Sequence, residues 1–170
     1  EFLLDRVQIK SENKDIKASD LKHYLKQSPN LKIIGVFKLH LGIYNLSSKN
    51  NDNGFNQWLK RIGEKPIILD SLANEQSSKE LRKHLENKGY LNAQVKDTIL
   101  YKKGRKATVV YNVVPGTPYT IADHQIKIAD PVLDILVQED SANSLIELGK
   151  PFDTGLLDKE RERISTLLRN

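Results

Sequence analysis

The side chains best suited to catalysis or metal binding are few and scattered in this sequence. The four histidines, His23, His40, His84 and His124, lie far apart, and none has the spacing that metal sites use. There is no cysteine, so thiolate ligands, thiol nucleophiles and disulfides are excluded. No glycine-rich phosphate loop or nucleophile elbow is found. We therefore expect no enzyme activity, no metal and no cofactor.

Two charged runs are candidates for binding. The run Lys102–Lys106, KKGRK, could bind phosphate or lipid headgroups, although such runs are more often solvated hairpin turns. The run Glu160–Arg163, ERER, is interpreted as a solvated helix face, because opposite charges three positions apart can pair on the surface of an exposed helix.

A third kind of chemistry belongs to the backbone of a predicted strand. Residues 91–101 carry apolar side chains on one face, interrupted by Asp97, with polar side chains at 92, 94, 96 and 98 on the other. Residues 107–114 are apolar on nearly both faces, as in a central strand. Parallel pairing of residues 107–114 with an earlier strand makes residues 91–101 an edge, whose free N–H and C=O groups can bind an extended chain. The candidate binding residues are Leu91, Asn92, Ala93, Gln94, Val95, Lys96, Asp97, Thr98 and Ile99. Alternatively, neighbouring lysines guard this edge against aggregation, and both interpretations stay open.

The elements that position this edge are found twice. Residues 69–87 and 152–170 align without a gap, 83 residues apart, with apolar residues at helical spacing after an Asp-Ser/Thr start that can cap a helix. In the first copy, Gly89 is expected to end the helix in a left-handed conformation. The triplet QIK, at 8–10 and 125–127, predicts a short strand at the start of each copy. First helices are predicted within residues 17–27 and 140–150.

Each copy therefore has the predicted order strand, helix, helix, strand, strand, and the second copy lacks its last two strands. The fold class is α+β, with a three-stranded mixed sheet packed on two helices in each complete module. We expect modules at residues 1–118 and 119–170; the first has a net charge of +9 and the second −4. Without its last strands, the second module should expose its helix faces and pack on the first module or self-associate. The residues expected on those faces are Ile146, Leu148, Ile164 and Leu168.

The first copy carries an insertion at about residues 31–64, the difference between the two repeat spacings. Its second half predicts a helix with one apolar face. That face consists of Phe55, Trp58, Leu59 and Ile62. It could dock a partner or touch a membrane, but packing on the module's own helices is the favoured interpretation.

Three segments carry a family resemblance: ENKGYLNAQV (86–95), VVPGTPYTI (113–121) and ERERISTLLRN (160–170). Together with the order of elements, they resemble POTRA (polypeptide-transport-associated) domains over about 130 positions, the insertion excluded. The first segment is similar to that family's helix–Gly–Tyr–strand junction. The second is similar to its third strand running into the next repeat.

The resemblance implies the periplasmic arm of a BamA/TamA-type outer-membrane assembly factor, with a C-terminal β-barrel of its own. The implied partners are unfolded outer-membrane proteins and periplasmic accessory subunits, on the periplasmic side of the outer membrane. The insertion and the FLLDRVQIK start look most like Bacteroides-type members. A basic nucleic-acid-binding domain and a passive spacer repeat are the alternatives; under the resemblance, no nucleic acid is expected.

Overall fold

The chain is described here by a computed structural model, which covers residues 1–30 and 66–169. In chain order, the described elements are β1 (Leu3–Ser11), α1 (Ala18–Leu21) with a 3-10 turn (Lys22–Tyr24), α2 (Ser71–Asn87), β2 (Gln94–Lys102), β3 (Lys106–Val114), α3 (Pro131–Glu139) with a 3-10 turn (Asp140–Asn143), and α4 (Thr154–Leu167). The predicted insertion and its face of Phe55, Trp58, Leu59 and Ile62 lie outside the described residues. No helix in the described ranges has both the length and the apolar character needed to cross a lipid bilayer.

The three strands form one sheet in the order β1-β3-β2. β1 pairs with β3 in parallel, with Gln8 opposite Val110 and Ile9 opposite Tyr111. The short turn at residues 103–105 reverses the chain between β2 and β3, so the sheet is mixed. β3 is the central strand, and its apolar side chains from Ala107 to Val113 are buried, Tyr111 completely, whereas Val114 at its end is exposed. The predicted α+β fold is therefore confirmed.

Helix α2 begins and ends where its sequence signals predict. The Asp70 side chain accepts hydrogen bonds from the N–H groups of Leu72 (2.8 Å) and Ala73 (3.3 Å). At the other end, Gly89 has φ +89° and the Tyr90 N–H donates to the carbonyl of Leu85 (2.9 Å). This arrangement is a Schellman motif, which satisfies carbonyls that the helix end would leave unpaired.

Polar groups join α2 to its neighbours below the sheet. The Tyr111 hydroxyl donates to Asn74 Oδ1 (3.3 Å), and Asn74 and Ser77 are fully buried. Ser77 Oγ accepts from the N–H of Lys26 (2.9 Å), just after the first 3-10 turn. Burial raises the pKa of Tyr111, so its hydroxyl stays protonated and remains a donor.

Two compact units divide the chain, residues 1–81 with 95–114 and residues 82–94 with 115–170. In the second unit, the first helix lies earlier than predicted. α3 spans Pro131–Glu139, whereas residues 140–150 form the 3-10 turn and an irregular segment. Asp130 explains the start, because its side chain accepts from the N–H groups of Val132 and Leu133 and Pro131 occupies the first helical position.

Two further predictions for the second unit are wrong. The QIK triplet at 125–127 belongs to no strand; among the described residues, only the isolated antiparallel bridge Thr120–Pro151 forms a ladder contact in this unit. Of the four residues expected to be exposed, Ile146 is buried at 9%, Ile164 and Leu168 are half-buried, and only Leu148 is exposed, at 62%. The N–H of the neighbouring Leu145 donates to the Glu160 side chain of α4, which ties this segment to that helix.

Candidate partner-binding edge

β2 starts three residues later than the sequence pattern predicts. Leu91 and Asn92 lie in the turn after α2, and the N–H of buried Ala93 still donates to the carbonyl of Tyr90 (3.0 Å). The Schellman end of α2 therefore continues into a second tight turn before the chain extends. Of the nine predicted binding residues, Gln94–Ile99 lie on β2, and the other three precede it.

Among the residues that the structure describes, β2 has a strand on one side only. Its neighbour is β3, and no other strand of the described residues pairs with it. The outer side of β1 differs, since the Leu4 N–H donates to the carbonyl of Ile67 (2.8 Å) and the Leu69 N–H to that of Phe2 (2.8 Å). The start of β1 is thus covered by a neighbouring segment. β2 offers the longer open row of backbone donors and acceptors to an incoming strand.

The two faces of β2 differ in exposure. Val95, Asp97 and Ile99 are half-buried, whereas Lys96 and Thr98 between them are exposed. Asp97 accepts a hydrogen bond from the Ser78 hydroxyl of α2 (3.2 Å). An inward-pointing charged residue is one device that limits uncontrolled pairing of edge strands. β2 therefore combines an open edge with a guard against aggregation.

The basic run forms the turn between β2 and β3, with Gly104 at φ +76° and Arg105 at φ +52°. All of its side chains are exposed, and Lys102 lies 4.0 Å from Asp5 of β1. The solvated-turn interpretation agrees with this exposure.

Histidines and carboxylates do not assemble into a reaction centre in the described ranges. No group of three or more such side chains there could hold a metal ion. His23, His84 and His124 lie on different segments, and His40 is outside the described residues.

The ERER run contains an acid, Glu160, whose pKa is strongly lowered, so the interpretation of the run as a solvated helix face is wrong at this residue. Glu160 is 2% exposed, and its Oε2 accepts from the N–H of Leu145 (2.9 Å). Arg163 donates to Glu160 Oε1 (2.9 Å) and also pairs with Asp140. The hydrogen bond from Arg163 is the main reason that the pKa of Glu160 falls from 4.5 to about 2, despite burial. This cluster joins α4 to the second 3-10 turn and to the segment that follows it.

Glu160 has a structural counterpart in the first unit. Ser77 lies 83 residues earlier, the spacing of the sequence repeat, and it also accepts a backbone N–H just after a 3-10 turn. The two copies thus share one hydrogen bond made by different side chains. The gapless alignment places Ser77 opposite Glu160, and the structure shows the hydrogen bond that the two positions share.

A mixed three-stranded sheet packed against helices, with a partly repeated second unit, defines the class of this protein. The family model POTRA, described as surface antigen variable number repeat, matches residues 3–116. This match covers well over half of the chain, which therefore belongs to the POTRA family.

One similar solved structure is described as the crystal structure of Haemophilus influenzae BamA POTRA3-5. It is 16% identical, with a TM-score of 0.47, and the match covers 96% of this chain and 52% of that chain. This chain therefore spans about half the length of that one. In a comparison with curated proteins, no sequence matches the present chain.

Proposed function

We propose that this chain is part of the periplasmic scaffold of a BamA/TamA-type outer-membrane assembly factor, and that it receives unfolded outer-membrane proteins. Membership in the POTRA family supports the scaffold role. The Bacteroides-like origin and the accessory subunits stay predictions from the sequence resemblance. The role is one of binding, without catalysis.

The observation that carries the proposal is the open edge of β2. Backbone N–H and C=O groups along Gln94–Lys102 can pair with any extended segment, because these bonds do not depend on the partner's side chains. Clients that will become β-strands share an alternating pattern but no common sequence. An edge strand therefore suits them better than a pocket shaped for one side chain. The exposed Lys96 and Thr98 would lie beside the partner strand's own outward side chains.

An NMR titration of the labelled 170-residue chain tests this proposal. An unfolded peptide from an outer-membrane strand should shift the amides of β2, and a scrambled peptide that keeps the alternation should do the same. A third peptide carries N-methyl groups at alternate backbone positions on its pairing edge, which removes donors without changing side chains. It should bind at least about tenfold more weakly, since several backbone bonds are lost. Equal binding of the methylated peptide would overturn strand addition.

The same titration separates the alternatives. A single-stranded oligonucleotide that shifts the basic turn, while the peptides shift nothing, would favour the nucleic-acid interpretation. No response to either ligand would favour a passive spacer. In both cases the β2 proposal would be rejected.

A further inference from the structure

An aromatic pair lies open to solvent at one end of the sheet. The rings of Phe2 and Tyr101 have centroids 4.5 Å apart and are tilted by 53°. Tyr101 is 60% exposed, Phe2 36% and the neighbouring Leu100 49%. Aromatic side chains of this size usually bury most of their surface in a core or at an interface. Together they form an apolar surface at the end of β2.

The basic turn lies at the same end of the sheet. The N–H of Leu3, next to Phe2, donates to the carbonyl of Arg105 (2.8 Å), and Leu3 is the register partner of Lys106. The exposed cations are Lys102, Lys103, Arg105 and Lys106. Within the described residues, the one ion pair formed by these four cations joins Lys102 to Asp5. We call the surface formed by Phe2 and residues 100–106 the basic-aromatic tip.

We propose that the basic-aromatic tip binds the surface of an anionic lipid bilayer. Each Lys or Arg near such a surface contributes about 1 kcal/mol. Aromatic rings favour the boundary between headgroups and acyl chains, and lysine stems can lie along apolar surface while their ammonium groups reach phosphates. A free phosphate ion would need the cations but not the neighbouring rings. The combination therefore favours a lipid surface as the occupant.

The backbone holds this tip in one shape. Gly104 and Arg105 both adopt positive φ, and the pairing of β1 with β3 fixes Phe2 beside the turn. The inference goes beyond the proposed function and does not rest on it, because lipid binding uses the end of the sheet and no client protein.

Vesicle sedimentation of the 170-residue chain tests the electrostatic part. We expect binding to vesicles of phosphatidylcholine mixed with phosphatidylglycerol, weakening with salt, and none to phosphatidylcholine alone. K103E/K106E should weaken binding at least about tenfold, since two attractive charges become repulsive. The matched control is K14E/K17E, which changes net charge equally at exposed positions beyond the other end of β1. Equal losses in the two double variants, or no binding by the parent chain, would overturn the proposal.

Tyr101→Trp tests the apolar part. Trp58 is the only tryptophan, so W58F/Y101W carries its single tryptophan at the tip, where it can be excited selectively. Its emission should shift to the blue on anionic vesicles and be quenched by lipids brominated in their acyl chains. Binding without quenching would place the rings outside the bilayer and contradict the proposal. Release of the chain by inorganic phosphate at constant ionic strength would indicate an ion site instead, which would also contradict it.

Discussion

Gly89 is constrained in two ways, by its left-handed backbone conformation and by neighbouring backbone atoms that lie close to it. Its φ of +89° belongs to the left-handed region, and a Cβ placed there would lie 2.8 Å from the carbonyl oxygen of Phe152 and 3.1 Å from that of Tyr119. The Tyr119 N–H donates to the Gly89 carbonyl (2.8 Å), and the Phe152 N–H donates to that of Tyr119 (2.9 Å). No other residue type fits between these backbone segments without displacing them.

Gly89→Ala should therefore destabilise the chain by more than its conformation alone explains. Gly149→Ala is the matched control, because Gly149 lies in the same compact unit with φ +80° and nothing within 4 Å of its Cβ position. We expect the control to cost about 1 kcal/mol for the left-handed conformation. Gly89→Ala should cost roughly 2 kcal/mol more, the usual penalty for overpacking. Equal losses in urea denaturation would show that the close approach does not constrain this position.

The lowered pKa of Glu160 should make its unit less stable as the pH becomes acidic. Its pKa in the folded chain is about 2, against 4.5 ordinarily, so the unfolded chain takes up its proton first as pH falls. The stabilisation is fully present above about pH 4.5 and disappears as pH falls towards 2.

Glu160→Gln should lower the free energy of unfolding by on the order of 2 kcal/mol at neutral pH, because Arg163 loses a charge-assisted partner. The variant should also show a smaller decrease in stability between pH 5 and pH 2. Glu162→Gln, at an exposed position of the same helix, is the control and should match the parent chain. An unchanged pH profile in Glu160→Gln would contradict the buried ion cluster.

At the scale of elements, the ends of α2 and α4 are joined by a small polar cluster. Lys88 Nζ lies 2.6 Å from Asp153 Oδ2, while Asp153 Oδ1 accepts the N–H of Gly155 and caps α4. Partial burial alone would raise the pKa of Asp153, but the hydrogen bonds from Lys88 and the Gly155 N–H outweigh it and lower the pKa. Asp153 therefore has two roles, as helix cap and as ion-pair partner.

Because Asp153 has two roles and Lys88 has one, replacing them should lower the free energy of unfolding by different amounts. Asp153→Ala should destabilise by about 1 to 2 kcal/mol, mostly through loss of the cap. Lys88→Ala should cost less than about 1 kcal/mol, since the pair is partly exposed and screened by solvent. Lys159→Ala, on the exposed side of α4, serves as the control. A coupling energy well above 1 kcal/mol in the double-mutant cycle, measured by urea denaturation, would contradict the solvent-screened pair.

Elements with strong local signals could be predicted from the sequence. α2, its Asp70 cap, the Gly89 turn and the apolar β3 follow from capping chemistry and residue alternation. The repeat alignment predicts the first helix of the second copy within residues 140–150, whereas the capping side chain of Asp130 and Pro131 at the first helical position start α3 earlier. The burial of Glu160 could not be read from the charge pattern, because it depends on the N–H of Leu145, which is brought there by the tertiary fold. Likewise, the Phe2–Tyr101 contact joins residues 99 positions apart and has no local signal.

At the scale of the whole molecule, the two proposals use two different surfaces. We propose the edge of β2 for an extended client and the basic-aromatic tip for a lipid surface. Apart from Gln94 at the start of β2, both surfaces lie in the compact unit of residues 1–81 and 95–114. A scaffold with both properties could receive an unfolded strand close to the membrane that the strand will enter.

The double variant K103E/K106E should then weaken lipid binding while leaving peptide affinity within about twofold, because exposed charges beside a backbone interface contribute little to the affinity for the peptide. Peptide titrations of this variant would check whether the β2 edge and the basic-aromatic tip bind their partners independently.

The most direct test of the central proposal is amide hydrogen exchange along β2, with and without an unfolded outer-membrane peptide. In the free chain, alternate amides of Gln94–Lys102 point away from β3 and should exchange rapidly. Strand addition predicts that these alternate amides become protected on binding, while the amides already bonded to β3 change little. Protection that is absent from β2, or that falls on the helices instead, would contradict the account.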